Sequence, residues 1–146
     1  MRLAVAVDLG ESGGAASVIA QAAEWVVAVG GTLDGLYVGG AQVDIPWLTD
    51  AAVRAVIEVE GAQRRRAEAA RLATLLEAVP AAHRGAARLL LGEPVAALVD
   101  AAGDYDALLV ATHGRSGMRQ FWMGSVAEAV VRRAPCPVVM LRMIDP

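Results

Sequence analysis

Two glycine-rich segments hold the residues whose types and spacing could do chemistry. The longer reads Ala111-Thr112-His113-Gly114-Arg115-Ser116-Gly117 and continues through Met118-Arg119-Gln120-Phe121-Trp122-Met123 to Gly124-Ser125. The chemistry it suggests is anion binding. Gly114 and Gly117 allow a backbone to turn and to approach a ligand closely. Arg115 can pair with a phosphate. Gly124-Ser125 opens a predicted helix, and the free N–H groups at a helix start attract anions. Ser125 offers its hydroxyl to a phosphate oxygen or caps its own helix. The same glycines would also make a plain tight turn, so these residues alone leave both readings open. The shorter segment, Asp8-Leu9-Gly10-Glu11-Ser12-Gly13-Gly14, adds carboxylates and more glycine.

These segments need elements to hold them. Five apolar runs read as strands: Leu3–Val7, Thr32–Val38, Ala87–Leu91, Ala107–Ala111 and Val138–Leu141. The first, fourth and fifth are nearly continuous in apolar residues, as strands buried on both faces are. Helical stretches lie between them, over about Gly13–Val29, Thr49–Val79, Pro94–Ala102 and Ser125–Arg133. Gly30-Gly31 stops the first. Thr49 or Asp50 can cap the second, and Gly61 is a place for it to bend or split. Pro94 suits the first turn of the third. Alternation of this kind predicts a parallel sheet with helices on both faces. With strand order 3-2-1-4-5, the order reverses between strands one and four. The two glycine-rich segments leave those strands at their carboxyl ends, where such sheets place ligands.

Composition narrows the function classes. The chain has 146 residues, 56% hydrophobic and 20% charged, which fits one domain over residues 1–146 and excludes a disordered chain. No apolar run approaches the roughly 20 residues of a membrane span. The start is not expected to serve as a signal sequence, because the run after Arg2 ends at Asp8. A lone cysteine, Cys136, rules out an intrachain disulfide, so the expected compartment is the cytoplasm. The net charge of −3 gives no footprint for nucleic acid. All 13 basic residues are arginine. A Walker A lysine and a Schiff-base lysine are therefore excluded.

The motif wording carries a resemblance. Thr112-His113-Gly114-Arg115-Ser116-Gly117, the closing Ala134-Pro135-Cys136-Pro137-Val138-Val139 and the opening Ala4-Val5-Ala6-Val7-Asp8 resemble the universal stress protein family, across nearly the whole chain. The family pattern is glycine, two residues, glycine, nine residues, glycine, then serine or threonine. It falls here on Ala111, Gly114, Gly124 and Ser125. The resemblance implies a Rossmann-like fold with sheet order 3-2-1-4-5, a cytoplasmic homodimer, a role in stress response, and ATP binding in one branch. By position, Asp8 would face the nucleoside, Ala6 would line the base pocket, and the Val38 backbone would meet the adenine edge. Val110 and Ala111 would border the ribose and phosphates. Gly114, Gly124, Ser125 and Val126 would hold the phosphate chain, with Arg115 and Gly117 beside them. ATP with Mg²⁺ is the expected ligand, and AMP or cyclic AMP would use the same base pocket.

The sequence departs from the family pattern twice. Ala111 replaces the first motif glycine, which is expected to weaken phosphate binding rather than abolish it. Glu11 puts a negative charge near any phosphate, unless it turns outward or helps hold Mg²⁺. These departures keep a non-nucleotide interaction module of the same fold as an alternative, beside a weak ATP hydrolase. No Ser-His-Asp triad or carboxylate pair stands out for an enzyme. Ser12-Gly13-Gly14 partly matches a PP-loop pyrophosphatase, but Ala16 replaces its aspartate. A G-x-G-x-x-G after the first strand is missing, which argues against NAD.

The remaining residues have plainer expectations. His83 reads as a surface residue of a polar turn. His113 either touches phosphate or shapes its loop. Cys136 reads as a small buried residue rather than a reactive thiol. Trp25 falls on the apolar stripe of the first helix and is expected in the core, and packing is also expected for Trp47 and Trp122. The last strand would be an edge strand. Antiparallel pairing of Val138, Val139, Met140 and Leu141 with a second copy is the expected homodimer contact, which the resemblance also implies.

Overall fold

The first and fourth apolar runs settle in the middle of the sheet, because a parallel strand must be covered on both faces, whereas the fifth takes an edge. A computed structural model describes residues 1–10, 14–39, 45–112 and 124–143. The elements are β1 (Arg2–Ala6), α1 (Ala15–Val29), β2 (Thr32–Gly39), α2 (Ala51–Leu76), β3 (Arg84–Leu91), α3 (Pro94–Ala102), β4 (Ala107–Thr112), α4 (Ser125–Arg133) and β5 (Val138–Arg142). The sheet is parallel throughout, in the order β3-β2-β1-β4-β5, as expected. Side chains alternate between its faces. Leu3, Val5, Leu33 and Leu109 pack with α1 and α2 on one side. Ala4, Leu36, Leu108 and Val110 pack with α3 and α4 on the other.

Helix ends follow local chemistry. Asp50, not Thr49, caps α2, accepting the Ala52 and Val53 amides at 2.9 and 3.3 Å. Glu93 caps α3 through the Val95 and Ala96 amides at 3.0 and 2.8 Å. These bonds hold the Glu93 carboxyl below its ordinary value, the Ala96 amide most. Gly30 ends α1 in the left-handed conformation, with φ of 73°. Gly61 does not split α2, which is one helix of 26 residues. That helix stops at Leu76, three residues before the expected Val79.

Strand β3 begins at Arg84, earlier than the apolar pattern shows. The cause is Asp34, the buried polar residue of β2. Its Oδ1 accepts the Ala86 amide at 2.8 Å, where the β2–β3 register shifts between Leu33 and Gly35. Its Oδ2 accepts the Tyr105 hydroxyl at 2.8 Å and lies 3.4 Å from the Arg2 guanidinium. Arg88 donates to the Tyr105 oxygen at 2.7 Å, and the Arg2 and Arg88 guanidiniums lie 5.2 and 5.7 Å from the ring centroid. A side-chain acceptor thus replaces the ladder where polar residues enter the sheet. His83 also differs from expectation. It is half-buried, and its Nδ1 lies 2.8 Å from the Gly31 carbonyl oxygen, which ties the turn before β3 to the end of α1.

Two tests follow from this network. Asp34→Ala strands the buried Tyr105 hydroxyl and the part-buried Ala86 amide and is expected to cost about 3 kcal/mol of unfolding free energy, read by urea denaturation. Tyr105 and Tyr37 both have hydroxyls raised above the ordinary phenol value, by burial first. The unfolded chain then releases these protons near pH 10, before the folded one does. Their contribution to stability is full below that pH and is lost as pH rises through the folded values. Tyr105→Phe should flatten the fall of the urea midpoint on the alkaline side.

Candidate functional site

The central strand is shorter than its neighbours. β1 ends at Ala6, opposite Leu36 and Val110, whereas β2 runs on to Gly39 and β4 to Thr112. A cavity of about 430 Å³ opens where β1 has left the sheet. It sits at the reversal of strand order. Ala6, Asp8, Val38, Val110, Ala111, Gly124, Ser125 and Val126 all line it. These are the eight described members of the expected set. Gly114, Arg115 and Gly117 lie outside the described residues, as do Glu11, His113 and Trp122.

Each wall has a local cause. The Val7 amide donates to the Leu36 carbonyl at 2.9 Å, the last bond between the two strands. Backbone groups of a strand alternate in direction, so the Val38 amide and carbonyl face the same side as those of Leu36. β1 has ended there, and they face the cavity. After β1 the chain turns at Asp8, whose Oδ1 accepts the Gly10 amide at 2.9 Å. Arg71 of α2 donates to the Leu9 carbonyl and fixes this turn against the helix. Tyr37 also lines the cavity, and its hydroxyl lies 3.5 Å from Glu68 Oε1.

Three helices begin at the cavity, and two of them, α1 and α4, have no side-chain cap, whereas Glu93 caps α3. Gly14 precedes α1 and Gly124 precedes α4. Ser125 is therefore the first residue of α4 and not its cap, which leaves its hydroxyl for another partner. Both uncapped starts favour negative charge, by about 0.3–1 kcal/mol for each terminus. The rest of the described lining is mainly apolar, from Leu36, Pro94, Leu98 and Val130. Asp8 is the only charged side chain among the described lining residues. An apolar body with a cation-like end suits a flat apolar ring joined to an anion.

Ala111 has an ordinary strand conformation, since no residue except glycine has positive φ among those described. Its methyl group packs on the α1 face, whereas Val110 packs on the α4 face. The methyl therefore points away from the start of α4.

Several lining residues escaped sequence reasoning. Pro94 and Leu98 belong to the first turns of α3, and every helix of a parallel sheet begins at the carboxyl edge. That rule was signal enough to find them. Met143 gave no signal. It follows β5 and folds over Gly14, where a Cβ would overlap its Sδ–Cε end. Other expectations need correction. Trp25 is 47% exposed and Trp47 79%, so neither is core. The buried stripe of α1 runs through Ala22 and Val26, and Trp25 lies one step round from it. Cys136 is half-buried, and burial raises its thiol, which makes it a poor nucleophile. Asp100, Asp104 and Asp106, at the end of α3 and in the turn after it, do face water as expected, the last two pairing with Arg88 and the Arg2 amide.

An open parallel sheet in this order, with its cavity at the strand reversal, defines the Rossmann-like class of α/β domains. Within it the assignment is sharper. The universal stress protein family model matches residues 1–142, and the chain belongs to that family. A universal stress protein from the QAH/OAS sulfhydrylase 3′ region of Thermus aquaticus is 37% identical over 86 residues. That match spans 58% of this chain and 58% of that relative. Among solved structures, UspA from Lactobacillus plantarum has a TM-score of 0.70 at 21% identity, covering 97% of each chain. A universal stress protein in complex with cAMP has a TM-score of 0.67 at 23% identity, covering 99% of this chain and 98% of that one. At these identities the solved structures share the fold.

The placement of Ala111 generates a test. Ala111→Gly should lower stability by about 0.5–1 kcal/mol, the ordinary cost of glycine inside a strand, read by thermal unfolding.

Proposed function

We propose that this chain is an adenine-nucleotide-binding regulator that acts in stress response. The observation that carries the reading is the convergence on one cavity of eight residues expected there from the family resemblance, three of them in the glycine motif, with an apolar body and two uncapped helix starts. The base lies between Ala6, Leu36 and Val110, with its edge on the Val38 backbone. Asp8 faces the ribose, and Ser125 with the Gly124–Val126 amides receives phosphate beside Gly114, Arg115 and Gly117. The cAMP complex of a universal stress protein of the same fold supports an adenine ligand.

ATP with Mg²⁺ is the preferred form in this reading, with AMP and cyclic AMP as competitors for the same base pocket. No group of three metal-ligating side chains occurs among the described residues. Mg²⁺ would arrive with the nucleotide, held by phosphate oxygens, water and, among the described residues, at most the Asp8 carboxylate. The nucleotide acts as a ligand that shifts conformation or partner binding rather than as a substrate. Asp8 supports this, since its one bonded oxygen already holds the turn. The chain works as a cytoplasmic homodimer, paired through the β5 edge at Val138, Val139, Met140 and Leu141. No helix among the described residues is long and apolar enough to cross a membrane.

Calorimetric titration with Mg-ATP tests the reading. Micromolar binding is expected, lost in Gly114→Asp and unchanged in Ala111→Gly. Failure of ATP, AMP and cyclic AMP to bind even at millimolar concentration would overturn it.

A further inference from the structure

Helix α2 is too long for the sheet it covers. Its 26 residues span about 39 Å, and its buried residues, Leu72 and Leu76, lie near one end. Every residue from Ala51 to Glu60 is exposed. This arm is apolar almost all round. Val53 is 44% exposed, Ile57 38%, and Val56 and Val59 56% each. Arg54 does little to solvate it, because its guanidinium is bound to the Leu48 carbonyl. A helix apolar on all sides is normally buried, and a short helical arm without packing is marginal in water.

The pattern on its outer side indicates what covers it. Ala52, Val56, Val59, Gln63, Ala67 and Ala70 recur at spacings of three and four and are all exposed. Beyond Ala52 at its start, valines stand before Gln63 in this stripe and alanines after it. Charge leans the same way, with Glu58 and Glu60 outnumbering Arg54 before Gln63, and Arg64, Arg65, Arg66 and Arg71 outnumbering Glu68 after it. A parallel pair of such helices would stack valine on valine and arginine on arginine. An antiparallel pair about a twofold axis near Gln63 sets Val56 on Ala70 and Val59 on Ala67 of a second copy. It also brings Glu60 and Arg64, which share one flank of the stripe, to opposite partners. Both size and charge are thus self-complementary in one orientation only.

We propose that α2 is a self-association helix, which pairs antiparallel with α2 of a second copy. This contact is separate from the β5 edge, because α2 covers β2 and β3 at the other side of the sheet. It depends neither on nucleotide binding nor on β5 pairing.

The test is a cysteine at the axis. Gln63→Cys in a Cys136→Ser background should give a disulfide-linked dimer under mild oxidation, whether or not β5 pairs. Val56→Glu with Val59→Glu should abolish the crosslink while circular dichroism shows the fold intact. Arg64→Glu should weaken the crosslink, and adding Glu60→Arg should restore it. No crosslink in the parent, or a crosslink indifferent to these changes, would overturn the proposal. The second outcome would assign the arm to a different partner or to another segment of the chain.

Discussion

The central strand stops before its neighbours do. In a parallel sheet every strand end is a place where backbone groups lose their partners. When the short strand is also the one at which strand order reverses, the loss becomes a recess between two helices. Ala6 ends β1, and the Val38 backbone is left facing the space where a further residue would have paired. The cavity, the turn at Asp8 and the separation of α1 from α4 all follow from that early exit. Arg71 reinforces it, since its bond to the Leu9 carbonyl keeps the departing chain on the α2 side.

The two ends of the sheet are built on opposite principles. At the amino end, Asp34, Tyr105, Arg2 and Arg88 satisfy one another, and no buried side-chain polar atom among the described residues lacks a partner. Such a network is rigid because removing any member strands the others. At the carboxyl end, glycines precede α1 and α4, and the walls between them are mainly apolar. Adaptability is confined to the end where the chain meets its surroundings, while the far end fixes strand register.

Much of this was legible in the sequence. Continuous apolar runs marked the buried strands, and the alternation with helices gave the order of the sheet. The motif spacing brought Ala111, Gly124 and Ser125 to one place. What was hidden depended on contacts between distant residues. Arg84 and Gly85 do not look like a strand until Asp34 supplies the missing acceptor across the register shift. Trp25 looks buried by composition, yet the stripe that packs is a step away. Met143 reaches the cavity only because β5 ends beside α1. The length of α2 was visible, but the sheet that fails to cover it was not.

The helix starts divide in a way that bears on how a charged molecule would arrive. All four helices begin at the carboxyl edge of the sheet. Two of them carry their own anion, as Asp50 sits on α2 and Glu93 on α3. The other two begin at bare glycine. An anion drifting along this edge meets repulsion at the first pair and attraction at the second. Screening in salt limits each effect to roughly 10 Å, and because the start of α3 borders the same cavity, Glu93 guards one side of the gap that α1 and α4 open. The edge behaves as an electrostatic aperture, which narrows the approach to one gap before any close contact forms.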